Sequence, residues 1–464
     1  MRLDCKEEFK NDLEELVRAF FGKETTEDTG SGILIDYCPK NGRIYAETAY
    51  PERAIAKQMT ETIKSAEKLG LKRQTKRMLK KLLYETLSEI TGRSLPYGSL
   101  TGVRPTKLAY ELAETNDETG VKNILIDYYG VSSQKAELIC EVIKNQKGVY
   151  KKNTGLYDIY INIPFCLTRC AYCSFVTTDI TKTRRYIEPY VDCLLREIDL
   201  MYDISGGECN AVYIGGGTPT AIDNASLEKI LRSASRFKRR EFTVEAGRPD
   251  TINETNLALI KAYGADRVSV NPQSFNQRTL DAIGRNHTVR DIYDAYALAQ
   301  KKGFVINTDI IAMLPGEDEA DFLKTVRSCT ELAPNNITVH NLALKRGSRL
   351  TLENFKNTAP ASGMTDGAYP LLKESGYSPY YMYRQKYMSG NLENCGYTIA
   401  GYPCVYNIDN MEETHGILAA GSGAISKRII ADRIDRQADI KDVKGYIESI
   451  DALLLKKREF FESK

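Results

Sequence analysis

An α/β fold, a partial (β/α)6 barrel flanked by an N-terminal α+β domain and a small C-terminal domain, is what the sequence predicts. From residue 156 onward, short β-rich runs alternate with helix-length stretches. Six such runs occur, near residues 157–163, 211–214, 241–246, 266–271, 304–311 and 336–342. The alternation is absent before about residue 150 and fades after 344. Strands that alternate with helices imply parallel βα units joined by right-handed crossovers. At 464 residues the chain is also too long for one small core. The expected boundaries are 1–150 for an accessory domain, 155–344 for the barrel, and 345–464 for a C-terminal domain associated with the substrate.

The first domain opens on Phe9, Leu13, Leu16, Val17 and Phe20, the stripe of an amphipathic helix. Two strand-like runs follow, GILIDYC and RIYAETAY, and then helical segments are expected from about 55 to 90 and from 132 to 145. Lys72, Lys76 and Lys80 form one helical row beside a second row of Arg73, Arg77 and Lys81. The row reads first as a solvated helix face, with an RNA or acidic-partner surface as the alternative. The polar segment KNQKGVYKKNTG, ending at Gly155, reads as the linker into the barrel.

A net charge of +2 exerts no overall pull toward nucleic acid or membrane. The charged start MRLDCKEEFKNDLEE lacks the apolar core of a secretory signal, and no stretch is long enough to span a bilayer. Eleven cysteines, an odd number, without an export signal suit a reducing compartment. A cytoplasmic protein is expected.

Directly after the first barrel strand comes YINIPFCLTRCAYCSF, with Cys166, Cys170 and Cys173 spaced C-x3-C-x2-C. A [4Fe–4S] cluster usually takes four thiolates. Three on one loop hold a cluster and leave one iron open to another ligand. A zinc site would need four ligands, usually two separated pairs, and neither a second CxxC nor a histidine lies within the loop. Strand C-terminal ends carry the chemistry in barrels of this kind, and Cys166 follows such an end. The second strand ends on Gly215-Gly216-Gly217-Thr218-Pro219, where glycine lets backbone approach a ligand closely.

Together with Tyr160, the Ile163-Pro164-Phe165 lead-in and Tyr172, these motifs resemble radical S-adenosylmethionine (radical SAM) enzymes. The likeness is to the oxygen-independent coproporphyrinogen III oxidases, or coproporphyrinogen dehydrogenases, over roughly residues 155–430, with an N-terminal extension found in one branch. The resemblance implies that Cys166, Cys170 and Cys173 ligate the cluster and that its open iron takes the methionyl end of SAM. It implies a SAM site of Tyr160, Gly215, Gly216, Gly217, Thr218, Glu245, Gln273, Arg285 and Asp309. Carboxylates suit the ammonium and ribose hydroxyls, and Arg285 suits a carboxylate. An ionic network closing the barrel mouth is the competing account of these polar groups.

A radical generated at a cluster needs no acid or base residue, and none is assigned. Arg384 and Lys386, in the tyrosine-rich run PYYMYRQKYMSG, are candidate partners for the propionates of a tetrapyrrole. Cys395 and Cys404 are expected to be ordinary cysteines. His287, His340 and His415 form no metal-binding pair by spacing. The implied reaction is oxidative decarboxylation of coproporphyrinogen III to protoporphyrinogen IX, supplied with electrons by a donor such as flavodoxin or ferredoxin. Established oxidases carry a further cysteine where this chain has Phe175 and a histidine where it has Asn162. Related haem-binding chaperones share the loop and typically carry a C-terminal His-Asn-x-x-Tyr-Trp motif, whereas this chain has no Trp. Chaperone-like haem binding, or another radical SAM reaction on a tetrapyrrole, are the alternatives.

Overall fold

A computed structural model describes residues 2–22, 32–65, 67–152, 154–175, 177–345, 347–353, 355, 361–385, 392–430 and 433–463. The chain divides into two compact units, the first comprising residues up to Ile143 together with Arg384, Gln385 and Leu392.

In the first unit, β1 (Arg2–Asp4), α1 (Glu7–Phe21), β2 (Gly32–Lys40), β3 (Arg43–Tyr50) and β4 (Ile55–Thr62) are followed by α2 (Lys68–Thr91), α3 (Pro105–Ala113), α4 (Glu118–Asp127) and α5 (Ser133–Asn145). The strands form one sheet in the order β1-β2-β3-β4. Phe9, Leu13, Leu16, Val17 and Phe20 of α1 are all buried, sharing a core with Met78, Leu82 and Leu83 of α2.

The segment expected as helix from 55 to 90 is a strand and then a helix. Ile55, Lys57, Met59 and Glu61 lie on the more buried side of β4, while Ala56, Gln58, Thr60 and Thr62 are exposed. This period of two is stabilised by antiparallel pairing with β3, a long-range partner that local helix propensity does not register. Nor is the basic row on α2 an open face. Lys72 reaches Glu8 (3.7 Å), Lys76 and Lys80 reach Asp12 (3.4 and 3.5 Å), Arg77 pairs with Glu111, and Lys81 with Glu85 (3.4 Å).

The second unit contains β5 (Tyr157–Ile163), β6 (Phe165–Cys166), β7 (Thr178–Asp179), α6 (Ile180–Thr183), α7 (Ile187–Ser205), β8 (Ala211–Gly216), α8 (Asn224–Ser235), β9 (Glu241–Gly247), α9 (Glu254–Ala262) and β10 (Arg267–Val270). It continues with α10 (Gln277–Ala282), α11 (Val289–Lys301), β11 (Val305–Ala312), α12 (Glu319–Leu332) and β12 (Asn336–Asn341). The strands β5, β8, β9, β10, β11 and β12 pair in parallel, in sequence order, as the six βα repeats predict. Ile159, Ile161, Val212, Ile214, Phe242 and Val244 pack outward against helices, with Leu194, Leu227 and Leu257 among their neighbours in the core. Alternation along each strand therefore sends Tyr160, Asn162, Tyr213, Glu245 and Asp309 to the opposite, interior face.

Residues beyond 345, expected as a separate domain, extend this sheet on both sides. They form α13 (Arg349–Leu352), α14 (Ala361–Glu374), β13 (Ser378–Tyr383), β14 (Asn394–Thr398), α15 (Val405–Glu412), β15 (Gly416–Ala420), β16 (Ile425–Ile430), β17 (Arg433–Ala438), α16 (Val443–Glu448) and α17 (Ile450–Glu462). The order is β13-β14-β12-β11-β10-β9-β8-β5-β15-β16-β17. The sheet is open, and β15 adds a seventh parallel strand beside β5. The expected linker is also built in: Asn145 and Gln146 donate to the Pro379 and Tyr380 carbonyls, each at 2.9 Å.

One buried charge cluster ties the end of β15 to the helices. Lys457, fully buried, bonds Glu197, Asp439 (3.0 Å) and the Ala419 carbonyl, and Glu197 accepts the Gly421 N–H (2.8 Å). Removing one member of a buried pair leaves an uncompensated charge, at a cost of roughly 3–5 kcal/mol. Lys457→Met is expected to lower the urea midpoint of unfolding accordingly. An unchanged midpoint, followed by circular dichroism, would show that the cluster does not carry that energy.

Candidate active site

The three cysteines lie on the loop leaving β5, which is stapled to the glycine turn after β8. Gly217 N–H donates to the Ile163 carbonyl (2.7 Å) and Thr218 N–H to the Phe165 carbonyl (2.8 Å). The Thr218 hydroxyl lies 3.4 Å from Cys166 Sγ. A Cβ at Gly217 would stand 2.5 Å from the Phe165 carbonyl oxygen and 3.0 Å from Cys166 Sγ, so no other residue fits without moving the loop. At Gly216, φ is +110°, and a Cβ would fall 2.1 Å from Asn162 Oδ1. The glycines are there for close approach, as the motif predicts.

All the cysteines are free thiols. Burial pushes Cys166 up to about 11 and raises Cys173 as well, and Cys173 and Cys170 lie near enough to Cys166 to add to the effect there. Cluster binding must release the protons of Cys166 and Cys173. Three converging thiols in a dry cradle fit a [4Fe–4S] cluster that leaves one iron open.

Around this loop the strand ends present the polar residues singled out by sequence. Glu245, on β9, is held by the Gly216 N–H and the Tyr213 hydroxyl; burial and the nearby Asp309 push its carboxyl up to about 8. Asp309, on β11, lies 3.7 Å from His340 Nε2, and His340 Nδ1 is 3.5 Å from the Tyr383 hydroxyl. Gln273 sits at φ +69°, its N–H donating to the Asp309 carbonyl (3.0 Å) and its buried Oε1 without a partner among the described residues. Arg285 is buried, with Nη1 donating to the Asn271 carbonyl (2.6 Å) and Nη2 to the Tyr172 hydroxyl (3.2 Å). That places its charge against the cysteine loop. Tyr160 is half-buried in a stack with Tyr213 (6.3 Å) and Tyr406 (6.4 Å), and its hydroxyl donates to Asn162 (3.1 Å).

A separate ionic network lies at the other end of the strands. Arg267 pairs there with Glu241 (3.3 Å), which also accepts the N–H groups of Val405 (3.1 Å) and Tyr406 (3.2 Å). Cys404 Sγ lies 3.2 Å from the same carboxylate, and Cys395 is buried. At that end too, Asp158, Asp409 and His415 approach within 4.8 Å. Both ring nitrogens of His415 are already engaged, by Thr414 (3.0 Å) and Thr154 (2.7 Å).

Arg384 is packed among protein partners. It belongs to the first unit, where its N–H donates to the Val103 carbonyl (2.7 Å), its guanidinium donates to the Leu100 carbonyl and it covers the Tyr97 ring at 4.3 Å. It is 3% exposed, with its Nη1 taken by the Leu100 carbonyl. Lys386 lies outside the described residues. Three contributors were missed from sequence. Ser422, in the AAGSGAIS segment after β15, accepts Asn162 Nδ2 at its carbonyl (2.8 Å). Thr168, inside the cysteine loop, accepts from Arg248 (2.8 Å). For Arg248 the available signal was an arginine directly after the glycine that closes β9.

The profile of the radical SAM superfamily matches residues 160–329. Over 413 residues the chain is 37% identical to the oxygen-independent coproporphyrinogen-III oxidase-like protein HemZ of Bacillus subtilis (strain 168), spanning 84% of this chain and 82% of that protein. The chain belongs to the radical SAM family of oxygen-independent coproporphyrinogen III oxidase-like proteins. The cofactors of this radical SAM protein are accordingly a [4Fe–4S] cluster and SAM. The heme chaperone HemW of Escherichia coli (strain K12) is 26% identical over 63% of this chain and 75% of its own length. Among solved structures, coproporphyrinogen III oxidase (HemN) from Escherichia coli shares the fold, at a TM-score of 0.53 and 21% identity over 66% of this chain and 71% of that one. No helix among the described residues is long and apolar enough to cross a membrane.

Proposed function

We propose that this radical SAM protein carries out oxygen-independent oxidative decarboxylation of coproporphyrinogen III to protoporphyrinogen IX, as a cytoplasmic enzyme of haem biosynthesis. The reading of the site rests on one observation: the C-x3-C-x2-C loop, the GGGTP turn, Glu245 and Asp309 all lie toward the C-terminal halves of parallel strands in one sheet. The tetrapyrrole rests on the 37% identity, along most of both chains, to a coproporphyrinogen oxidase-like protein.

Cys166, Cys170 and Cys173 are the cluster ligands in this reading. The cluster and SAM they would hold would supply one-electron reductive cleavage of the sulfonium. Gly215, Gly216, Gly217 and Thr218 offer backbone groups to the methionyl end, without a Cβ in the way. Glu245, Gln273 and Asp309 accept or donate hydrogen bonds to the polar atoms of SAM, and Tyr160 lines the floor beneath. Arg285 holds positive charge against the cysteine loop.

Each propionate loses a hydrogen atom from the carbon next to the ring and a molecule of carbon dioxide. One electron leaves to an acceptor, and a vinyl group remains. The protein's own work is orientation and exclusion of water around a reactive radical. Arg169 and Lys345, exposed and close enough to Cys173 to act on its charge, take the propionate-binding role first expected of Arg384. Residues 155–344 act as the radical-generating core and 345–464 as the substrate-associated part, with reducing electrons from flavodoxin or ferredoxin.

The test is an anaerobic reaction of reconstituted protein, SAM, a low-potential reductant and coproporphyrinogen III, followed by mass spectrometry. Deoxyadenosine formed together with tetrapyrroles lacking first one and then two carboxyl groups is the expected result. An unchanged tetrapyrrole with an intact cluster and a working reductant would overturn it. The similarity to heme chaperones favours one second reading. In that case the same preparation would bind haem stoichiometrically and leave coproporphyrinogen III untouched.

A further inference from the structure

Between the cysteine loop and the third barrel strand sits an arginine given no ligand or cofactor role above. Arg248, 3% exposed, follows the turn at Gly247 that ends β9. Its Nη1 donates to the Thr168 hydroxyl (2.8 Å) and the Thr168 carbonyl (3.3 Å), and Thr168 lies midway between Cys166 and Cys170. The rest of its fork grips Asp250, through Nε at 3.0 Å and Nη2 at 2.6 Å.

The clamp is braced from several sides. The Thr168 hydroxyl donates on to the Gly284 carbonyl (3.3 Å). Thr220, just beyond the GGGTP turn, donates to the Ala246 carbonyl (2.9 Å) and lies 2.6 Å from the Thr251 hydroxyl. Thr251 N–H donates in turn to the Arg248 carbonyl (3.0 Å). His287 completes the setting, with Nδ1 3.9 Å from Asp250. The guanidinium thus joins the loop leaving β5 to the turn after β9, and Thr220 ties the loop leaving β8 to the same turn.

Charge gives the clamp a second effect. A [4Fe–4S] core on three thiolates becomes more negative by one when it takes an electron. A fixed cation nearby favours that reduced form, and in a buried site water screens little of it. Arg248 and Arg285 both place positive charge near Cys170. Asp250 offsets part of the charge of Arg248 and lies on the far side of its fork from the loop.

We propose that Arg248 is a positioning residue of the cluster loop, holding it through Thr168, and that the Arg248–Asp250 pair sets the reduction potential of the cluster. The inference rests on the cofactor and not on the tetrapyrrole reaction, so its test omits tetrapyrrole. Full-length protein is reconstituted anaerobically and titrated with dithionite, while the electron paramagnetic resonance signal of the reduced cluster is followed. Two variants should move the midpoint in opposite directions. Arg248→Met is expected to disfavour reduction about tenfold, a midpoint lower by about 59 mV for one electron. Asp250→Asn leaves the arginine charge unopposed and is expected to raise the midpoint. Arg248→Lys keeps the charge and loses the fork, so its midpoint should lie nearer the native value than that of Arg248→Met.

A purely structural residue would lower cluster content without this sign change. If Arg248→Met and Asp250→Asn titrate with the native midpoint, or shift in the same direction, the proposal is wrong. Should Arg248→Met fail to assemble a cluster, the upward shift in Asp250→Asn decides it alone.

Discussion

Replacing Cys166, Cys170 or Cys173 with alanine is expected to leave a folded protein that takes up almost no iron, against about four atoms per chain in the native protein. Three thiols are the whole cysteine donor set of the loop, and the open iron leaves no spare protein ligand. Loss of one thiolate leaves a second iron without its anchor. The brown absorbance after anaerobic reconstitution should vanish in all three variants, and deoxyadenosine formation should fall to background. Cys38→Ala supplies the control, because this exposed thiol lies on β2 in the first unit and should leave iron content unchanged. Full iron in all three loop variants would overturn the ligand assignment.

Gly217→Ala should produce the second large effect without touching a ligand. The added methyl would meet two backbone carbonyls, Phe165 at 2.5 Å and Ile163 at 3.0 Å, along with Cys166 Sγ. Backbone cannot swing aside as a side-chain tip can, so the cysteine loop must shift. Overpacking of this kind costs roughly 1–3 kcal/mol, and at this position the strain falls on the geometry that holds SAM. SAM affinity should drop roughly fivefold to 150-fold on the same energy scale, read by equilibrium dialysis against anaerobically reconstituted protein. Gly102→Ala, with nothing within 4 Å of the new methyl, is expected to bind SAM normally. Native affinity in Gly217→Ala would mean that the two loops are not packed as tightly as they stand.

Most of the barrel was legible because its strands are buried and short. The runs near 157–163, 241–246 and 336–342 coincide with β5, β9 and β12 to within a residue. The stretch at 55–62 misled because its side chains alternate only weakly between half-buried and exposed. Its residues are ordinary helix formers, and only β3 supplies the reason for a strand. Arg384 misled differently. A cationic residue among tyrosines suits a carboxylate ligand, but the Leu100 and Val103 carbonyls had the prior claim.

Chain-local chemistry thus determined the parallel α/β core, the cysteine loop and the glycine turn, since each depends on residue spacing within one or two elements. Tertiary structure alone decided that β15 lies beside β5, that Lys457 reaches Glu197 and Asp439, and that Arg248 closes on Thr168. These contacts join residues 18 to 260 positions apart. Which buried charge meets which partner is settled by burial and by competition among all donors and acceptors in the folded chain, and no local pattern of residues carries that outcome.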